Sequence, residues 1–301
     1  MSAFNTILSR ALPLVPRPIV RRVSRRYIAG DCLEDAARVV RGVNERGFMA
    51  TLDVLGESVR SRPLVESAVH EYLESLRSIE EHGLDSNISV KLTQIGLRID
   101  RDLCLESMIR VAESARERGN FIRIDMEDSD CTDGTLELFV ELKRRGFDNV
   151  GVVLQAYMRR SLADVRSLPE GSSVRLCKGI YIEPRSIAYR DRSVVRKNFV
   201  RLLEEMLDRR FYVGIATHDE DLVWESMRLI DQRGLSRDGY EFQMLLGVDE
   251  PLRDLIGRDG HRLRVYVPYG ANWYAYSLRR LKENPQIAGY ILADLLSRSR
   301  G

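Results

Sequence analysis

The chain has 301 residues, 44% of them hydrophobic, with 47 basic against 45 acidic side chains and a formal net charge of +2. That length holds two ordinary domains or one α/β barrel of about 250 residues. The balanced charge provides no field suited to nucleic acid, and no apolar run approaches the ~18 residues of a membrane span.

Residues 1–30 carry six arginines and no acid before Asp31, around an apolar piece interrupted by proline, ALPLVPRPIV. Such a segment is an arm that packs on the protein or touches an anionic membrane surface, or else an organelle transit peptide. Pro13, Pro16 and Pro18 argue against one continuous amphipathic helix. A secretory signal is not expected. Residues 1–46 are expected to form a basic, helical N-terminal arm, and residues 47–301 the catalytic domain.

From Gly47 onward one unit repeats: a short β-branched, apolar run, a turn, then an amphipathic segment. The runs are FMATLDVLG (48–56), ISVKLTQIG (88–96), FIRIDMED (121–128), VGVVLQAY (150–157), SVRLCKGIY (173–181), FYVGIATHD (211–219), YEFQMLLG (240–247) and LRVYVPYG (263–270). Between them, stretches such as 61–83 and 186–210 repeat apolar residues at three and four, and Gly83, Gly119 and Gly146 stand where helices should stop. Strict alternation of strand and helix implies parallel pairing with right-handed crossovers, and eight such units match a closed (β/α)8 TIM-type barrel. No G-x-G-x-x-G follows any strand to favour an open, doubly wound sheet.

Barrel chemistry sits at the carboxyl ends of the strands. Those ends carry Glu57, Lys91, Asp125 with Met126, Gln155, Lys178 with Tyr181, Thr217 with His218, and Tyr266 with Tyr269. Each also has a plainer reading. An unpaired ammonium at Lys91 is costly to bury, so it needs a partner or a ligand unless it points outward. Asp125 either joins the site or caps the following helix; His218 is either functional or a hydrogen-bonded structural histidine. Arg175, alternating with Val174 and Leu176, points into the barrel or its mouth, where Asp125 or Glu127 is a candidate ion-pair partner. Glu57, Gln155 and Tyr181 stay open between site and scaffold. Cys32, Cys104, Cys131 and Cys177 lie far apart with no metal-ligand spacing, as expected of reduced, mostly buried thiols in a cytosolic protein.

In the last segment, YVPYGANWYAYSLRRLKE, helical spacing puts Trp273, Tyr276, Arg279, Arg280 and Glu283 on one side and Tyr274, Leu278 and Leu281 on the other. A solvated face with Arg–Glu pairs at i,i+4 and i,i+3 is the plain reading.

The motifs LDVLGE, SVKLTQIG, RIDMED, VVLQAY, RLCKGIY, IATHD, FQMLLGV and YVPYGANWYAYSLRRLKE, in that order, resemble the proline dehydrogenase domain, a flavoprotein on a distorted (β/α)8 barrel. The resemblance runs from about Gly47 to Glu283. It implies oxidation of L-proline to Δ1-pyrroline-5-carboxylate by hydride transfer from C5 to N5 of FAD, the first step of proline catabolism to glutamate. A monofunctional, single-domain version is implied, since no room remains for the aldehyde dehydrogenase fused to some relatives.

The resemblance further implies a carboxylate clamp of Arg279 and Arg280 with Lys91 as third cation, because paired guanidinium forks suit a carboxylate. Glu283 holds that clamp, Glu57 gates it, and Tyr181, Tyr266 and Tyr276 wall the pyrrolidine ring. Tyr266 favours proline over a hydroxylated analogue. The implied FAD residues are Met126, Gln155, Arg175, Lys178, Gly179, Ile180, Thr217 and His218, with Arg175 near N5 and Lys178 near the pyrophosphate. Asp125 and Arg175 are the implied catalytic residues, Asp125 tuning the positive cluster. Membrane quinone is the implied acceptor and pyrroline-5-carboxylate dehydrogenase a possible partner. The protein is then expected in the cytoplasm, or peripherally at the inner face of the membrane. Ile180 departs from the small alanine usual in relatives, and Gln94–Ile95 from Ala-Leu, which bears on pocket size. The rivals are an aldolase or isomerase forming a Schiff base on Lys91 or Lys178, and an inactive barrel that only binds.

Overall fold

A computed structural model describes residues 17–56, 58–274, 276 and 277. Eight parallel strands pair in chain order and close on themselves. They are β1 (Met49–Val54), β2 (Ser86–Val90), β3 (Ile122–Ile124), β4 (Val150–Gln155), β5 (Ser173–Cys177), β6 (Tyr212–Ala216), β7 (Tyr240–Leu245) and β8 (Leu263–Tyr269). The seam is a β1–β8 ladder running from Met49 opposite Arg264 to Val54 opposite Tyr269. The expected (β/α)8 barrel is therefore the observed one.

Helices α1 (Arg17–Ser24) and α2 (Leu33–Glu45) precede β1. The crossovers are α3 (Arg62–Glu81), α4 (Arg101–Glu117), α5 (Thr132–Arg144), α6 (Ser161–Ser167), α7 (Arg192–Asp208), α8 (Glu220–Gln232) and α9 (Glu250–Arg258). Three of them end as their glycines require: Gly83, Gly119 and Gly146 follow α3, α4 and α5 at φ of 59°, 60° and 81°, a region open to glycine at little cost.

The main core lies between the outer face of the sheet and the helices. Leu52, Ile88, Phe139, Phe199 and Phe242 are fully buried there, each stabilising the fold by about 1.5–3 kcal/mol. Helix α2 adds Ala36, Ala37, Val40 and Val43 to it, against β8 and β1. Helix α1 sits elsewhere, where Ser24 Oγ donates to Ser277 Oγ at 2.6 Å, Arg17 and Arg21 lie over Tyr274 and Trp273, and Arg21 pairs with Asp31 at 2.5 Å.

Several strands are shorter than their apolar runs. β2 begins at Ser86 rather than Ile88 and stops at Val90, because Lys91–Gln94 folds into a turn closed by Gln94 N on Lys91 O at 3.0 Å. β5 likewise stops at Cys177. The helix expected over 186–210 starts only at Arg192, where Asp191 caps it by accepting from Ser193 N at 2.8 Å and Val194 N at 3.2 Å. These early strand ends leave the motif residues on loops over the barrel mouth.

Candidate active site

Strand alternation decides what enters the barrel. In β5, Val174 and Leu176 are buried among core residues while Arg175 between them reaches across the barrel. Its Nη1 donates to Asp125 Oδ1 at 2.7 Å and to Ser89 Oγ at 3.2 Å, its Nε donates to Gln243 Oε1, and its guanidinium lies 5.0 Å over the Tyr266 ring. Asp125, just past β3, spends its other oxygen on the Tyr266 hydroxyl at 2.7 Å and stands 3.5 Å from Lys91 Nζ. Lys91, just past β2, also bonds Asp53 of β1.

Two acids and two bases thus share the floor of the mouth, all but removed from solvent. Burial alone would neutralise Lys91, but Asp53, Tyr266 and Asp125 outweigh it and hold the ammonium well above its ordinary range. For Asp125, burial pushes the carboxyl up and Lys91 with Arg175 overcome it, leaving it below the usual value. At Asp53 burial prevails over Lys91 and the carboxyl is raised; its Oδ2 is buried without a hydrogen-bond partner among the described residues. A Schiff-base nucleophile must be a free amine, so an ammonium locked between two carboxylates removes Lys91 from that role. Lys178 is committed too, to Asp219 at 2.9 Å.

Above this floor opens a cavity of about 790 Å³ that runs from Asp53, Lys91 and Tyr266 out to Arg192 and Arg196 of α7 and Glu220 of α8. Of the other sequence-predicted residues that are described, all but Tyr269 line it: Met126, Gln155, Lys178, Gly179, Ile180, Tyr181, Thr217, His218 and Tyr276. Gln155 Nε2 donates to Glu127 O at 2.8 Å, and Thr217 Oγ1 accepts from Asp219 N at 3.1 Å. His218 Nε2 accepts from Leu245 N at 2.9 Å, so that nitrogen is the unprotonated one and the histidine is both anchored and cavity-lining. Gly179 holds φ at 100°, and a Cβ there would strike the Tyr157 ring; only glycine lets the loop after β5 turn this tightly. Ile180 stands at the mouth, 42% exposed.

Some expectations are corrected. Tyr269 does not face the mouth: its ring is buried toward α3, hydroxyl to hydroxyl with Ser75 at 2.7 Å, because it falls on the outward register of β8. Asp125 does not cap a helix, since both its oxygens are taken by Arg175, Ser89 and Tyr266. Arg175 pairs with Asp125 rather than Glu127, which instead accepts from Thr93 N at 3.0 Å and Thr93 Oγ1 at 2.6 Å. Glu57, Arg279, Arg280 and Glu283 lie outside the described residues.

Sequence reading missed Asp53, Gln243 and Asp219. The first two are polar side chains at inward positions of apolar strands, the same signal that exposed Arg175. Asp219 closes the IATHD motif, and its Oδ2 binds both Lys178 and Arg196.

Fold and site define a class: a closed (β/α)8 barrel whose charged and aromatic groups converge at the carboxyl ends of the strands, as in barrel enzymes. Residues 36–291 match the family model described as proline dehydrogenase. The chain is 35% identical to the proline dehydrogenase of Deinococcus radiodurans, over 95% of this chain and 96% of that protein. It is 33% identical to proline dehydrogenase 1 of Bacillus subtilis strain 168, over 91% of each. Among solved structures it superposes on proline utilization A from Bdellovibrio bacteriovorus, inactivated by N-propargylglycine, with a TM-score of 0.81 and 25% identity over 88% of this chain and 33% of that longer one. The chain belongs to the proline dehydrogenase family.

Proposed function

We propose that this chain oxidises L-proline at C5 to Δ1-pyrroline-5-carboxylate, the first step of proline catabolism to glutamate, with FAD as cofactor. The observation that carries the reading is the neutral cluster of Asp53, Lys91, Asp125 and Arg175 at the floor of a long cavity, in a chain of this family. Such a cluster can orient a substrate that carries a carboxylate and an amine.

The cavity fits a flavin dinucleotide by its donor set. The cations Lys178 and Arg196 at its outer half suit a diphosphate, Asp219, Glu220 and Asp221 suit ribose hydroxyls, and Arg175 at the inner end suits a flavin ring. Met126, Gln155, Arg175, Lys178, Gly179, Ile180, Thr217 and His218 hold the cofactor in this reading, which supplies the hydride acceptor when bound. Arg175 presents positive charge where negative charge develops during the reaction.

The chain's own part in the chemistry is then binding and orientation. Arg279 and Arg280 with Lys91 hold the substrate carboxylate, Glu283 and the gate residue Glu57 fix the arginines, and Tyr181, Tyr266 and Tyr276 pack the ring. Asp125 locks Tyr266 and Arg175 in place, so the reacting carbon meets the acceptor in one orientation. Loss of hydride from the neutral amine leaves an iminium that keeps its N–H proton, and no side chain needs to act as base in that step.

We assign the basic stretch of residues 1–30, ahead of α2, to membrane contact and the barrel, with α2 packed in its core, to catalysis, with membrane quinone receiving the electrons and pyrroline-5-carboxylate dehydrogenase taking the product. No helix among the described residues is long and apolar enough to cross a membrane, so contact in this reading is peripheral. Flotation with anionic liposomes, with and without the arm, decides the arm's role, equal recovery counting against it.

The deciding experiment is an anaerobic absorbance spectrum of the purified protein with FAD. A yellow protein bleached by L-proline supports the reading; bound flavin that L-proline leaves oxidised refutes it. Borohydride-trapped adducts on Lys178 would favour the Schiff-base alternative.

A further inference from the structure

Arg175 is gripped from two directions. Asp125 and Ser89 take Nη1, while Nε donates to Gln243 in β7, which also lines the cavity and links Arg175 to the next charged group along its strand. Gln243 Nε2 donates in turn to Glu241 Oε1. Glu241 also accepts from Arg264 Nε at 2.8 Å and, on its other oxygen, from the Tyr212 hydroxyl at 2.9 Å. Arg264 is tied to the β1 backbone through Ala50 O at 2.7 Å.

The direction of this chain of bonds is fixed by chemistry. A guanidinium only donates and an ionised carboxylate only accepts, so the Gln243 amide must turn its oxygen to Arg175 and its nitrogen to Glu241. Burial pushes the Glu241 carboxyl up, but Arg264 and Gln243 overcome it and keep it below its usual value. The space for the amide is built in as well: a Cβ on Gly214 of β6 would collide with the Gln243 side chain. Gln243 and Glu241 are buried and belong to no part of the substrate or cofactor contacts assigned above.

We propose that Gln243 and Glu241 are positioning residues for Arg175, resting on the reading that Arg175 faces the redox cofactor. Asp125 is shared with Lys91 and Tyr266, and bonds to Nη1 alone leave a guanidinium free to swing about that contact. The second bond, at Nε, fixes its plane. It also links the charge to a buried anion through a polarised amide, in surroundings where such chains strengthen one another. With Nε and Nη1 both held, Nη2 is the nitrogen left to face the cavity that Arg175 lines.

The test uses the full-length chain. In 15N-arginine-labelled protein without flavin, the Arg175 Nε–H resonance, assigned by its loss in Arg175→Lys, should exchange slowly with solvent. It should exchange at least about tenfold faster in Gln243→Met, and shift in Glu241→Gln, which keeps the shape of the network if the first variant folds poorly. An Arg175 Nε–H that exchanges freely in the unaltered protein, or is unchanged in both variants, overturns the proposal whatever the flavin does. In FAD-loaded protein, Gln243→Met should lower kcat for proline about tenfold, the loss of one hydrogen bond to a charged group, with little change in KM. The same change should cost nothing further in an Arg175→Met background. Equal losses in both backgrounds would mean Gln243 only stabilises the barrel. Failure of L-proline to reduce the unaltered holoprotein would sink the functional reading instead, leaving the NMR comparison to decide the positioning.

Discussion

Arg175 and Asp125, fifty residues apart in the chain, meet at 2.7 Å across the barrel mouth, and the same carboxylate faces Lys91 from its other oxygen. One acid therefore balances two cations, with Asp53 sharing only the lysine.

Asp125→Asn keeps the shape and an acceptor for Tyr266 but removes the charge. Two cations are then left against one carboxylate in a nearly dry site, and losing one member of a buried pair costs about 3–5 kcal/mol. Urea unfolding of the variant should show a loss of that order, and the rate of flavin reduction by proline should fall at least about tenfold. A variant as stable as the parent would mean that the cluster is open to water and that Asp125 does not set its charge.

Lys91 predicts an alkaline signature. Its folded-state pKa lies above the unfolded one, because Asp53, Tyr266 and Asp125 outweigh the effect of burial. The stability it contributes is complete below pH ~10.4 and drains as pH rises toward the folded value. Asp125 and Glu241, lowered by Lys91 with Arg175 and by Arg264 against the pull of burial, act on the opposite flank; their contribution is present above pH ~4 and lost below it. Urea midpoints measured from pH 7 to 11.5 should bend downward above pH ~10.4, and Lys91→Met should flatten that limb relative to the parent. Parallel limbs would show that the ammonium gains nothing from its partners.

The arginine clamp is tested by Arg279→Ala and Arg280→Ala. Each should leave flavin content unchanged while raising KM for proline, by about 2–5 kcal/mol of lost binding, the cost of removing the charge partner proposed for the substrate carboxylate. Equilibrium binding of a non-oxidised carboxylate analogue separates anchoring from chemistry: both variants should bind it at least about thirtyfold more weakly. Unaltered analogue affinity in both would remove the arginines from the substrate site.

Alternation of apolar runs and amphipathic stretches was enough to read eight strands, because each run must bury one face against a helix and hide the other in the barrel. It was also enough to place Lys91, Asp125, Gln155, Lys178, Thr217, His218 and Tyr266 at one end, since strand direction in a parallel barrel puts every carboxyl end on the same rim. Tyr269 went wrong for the converse reason: at a strand terminus a shift of one residue moves a side chain from mouth to core. What only the folded chain decided is which charges meet. Asp53 binds Lys91 across 38 positions and Gln243 binds Arg175 across 68, distances over which no local pattern carries information. Barrel closure brings those residues together, and in a buried interior each charge must find a partner there or be neutralised.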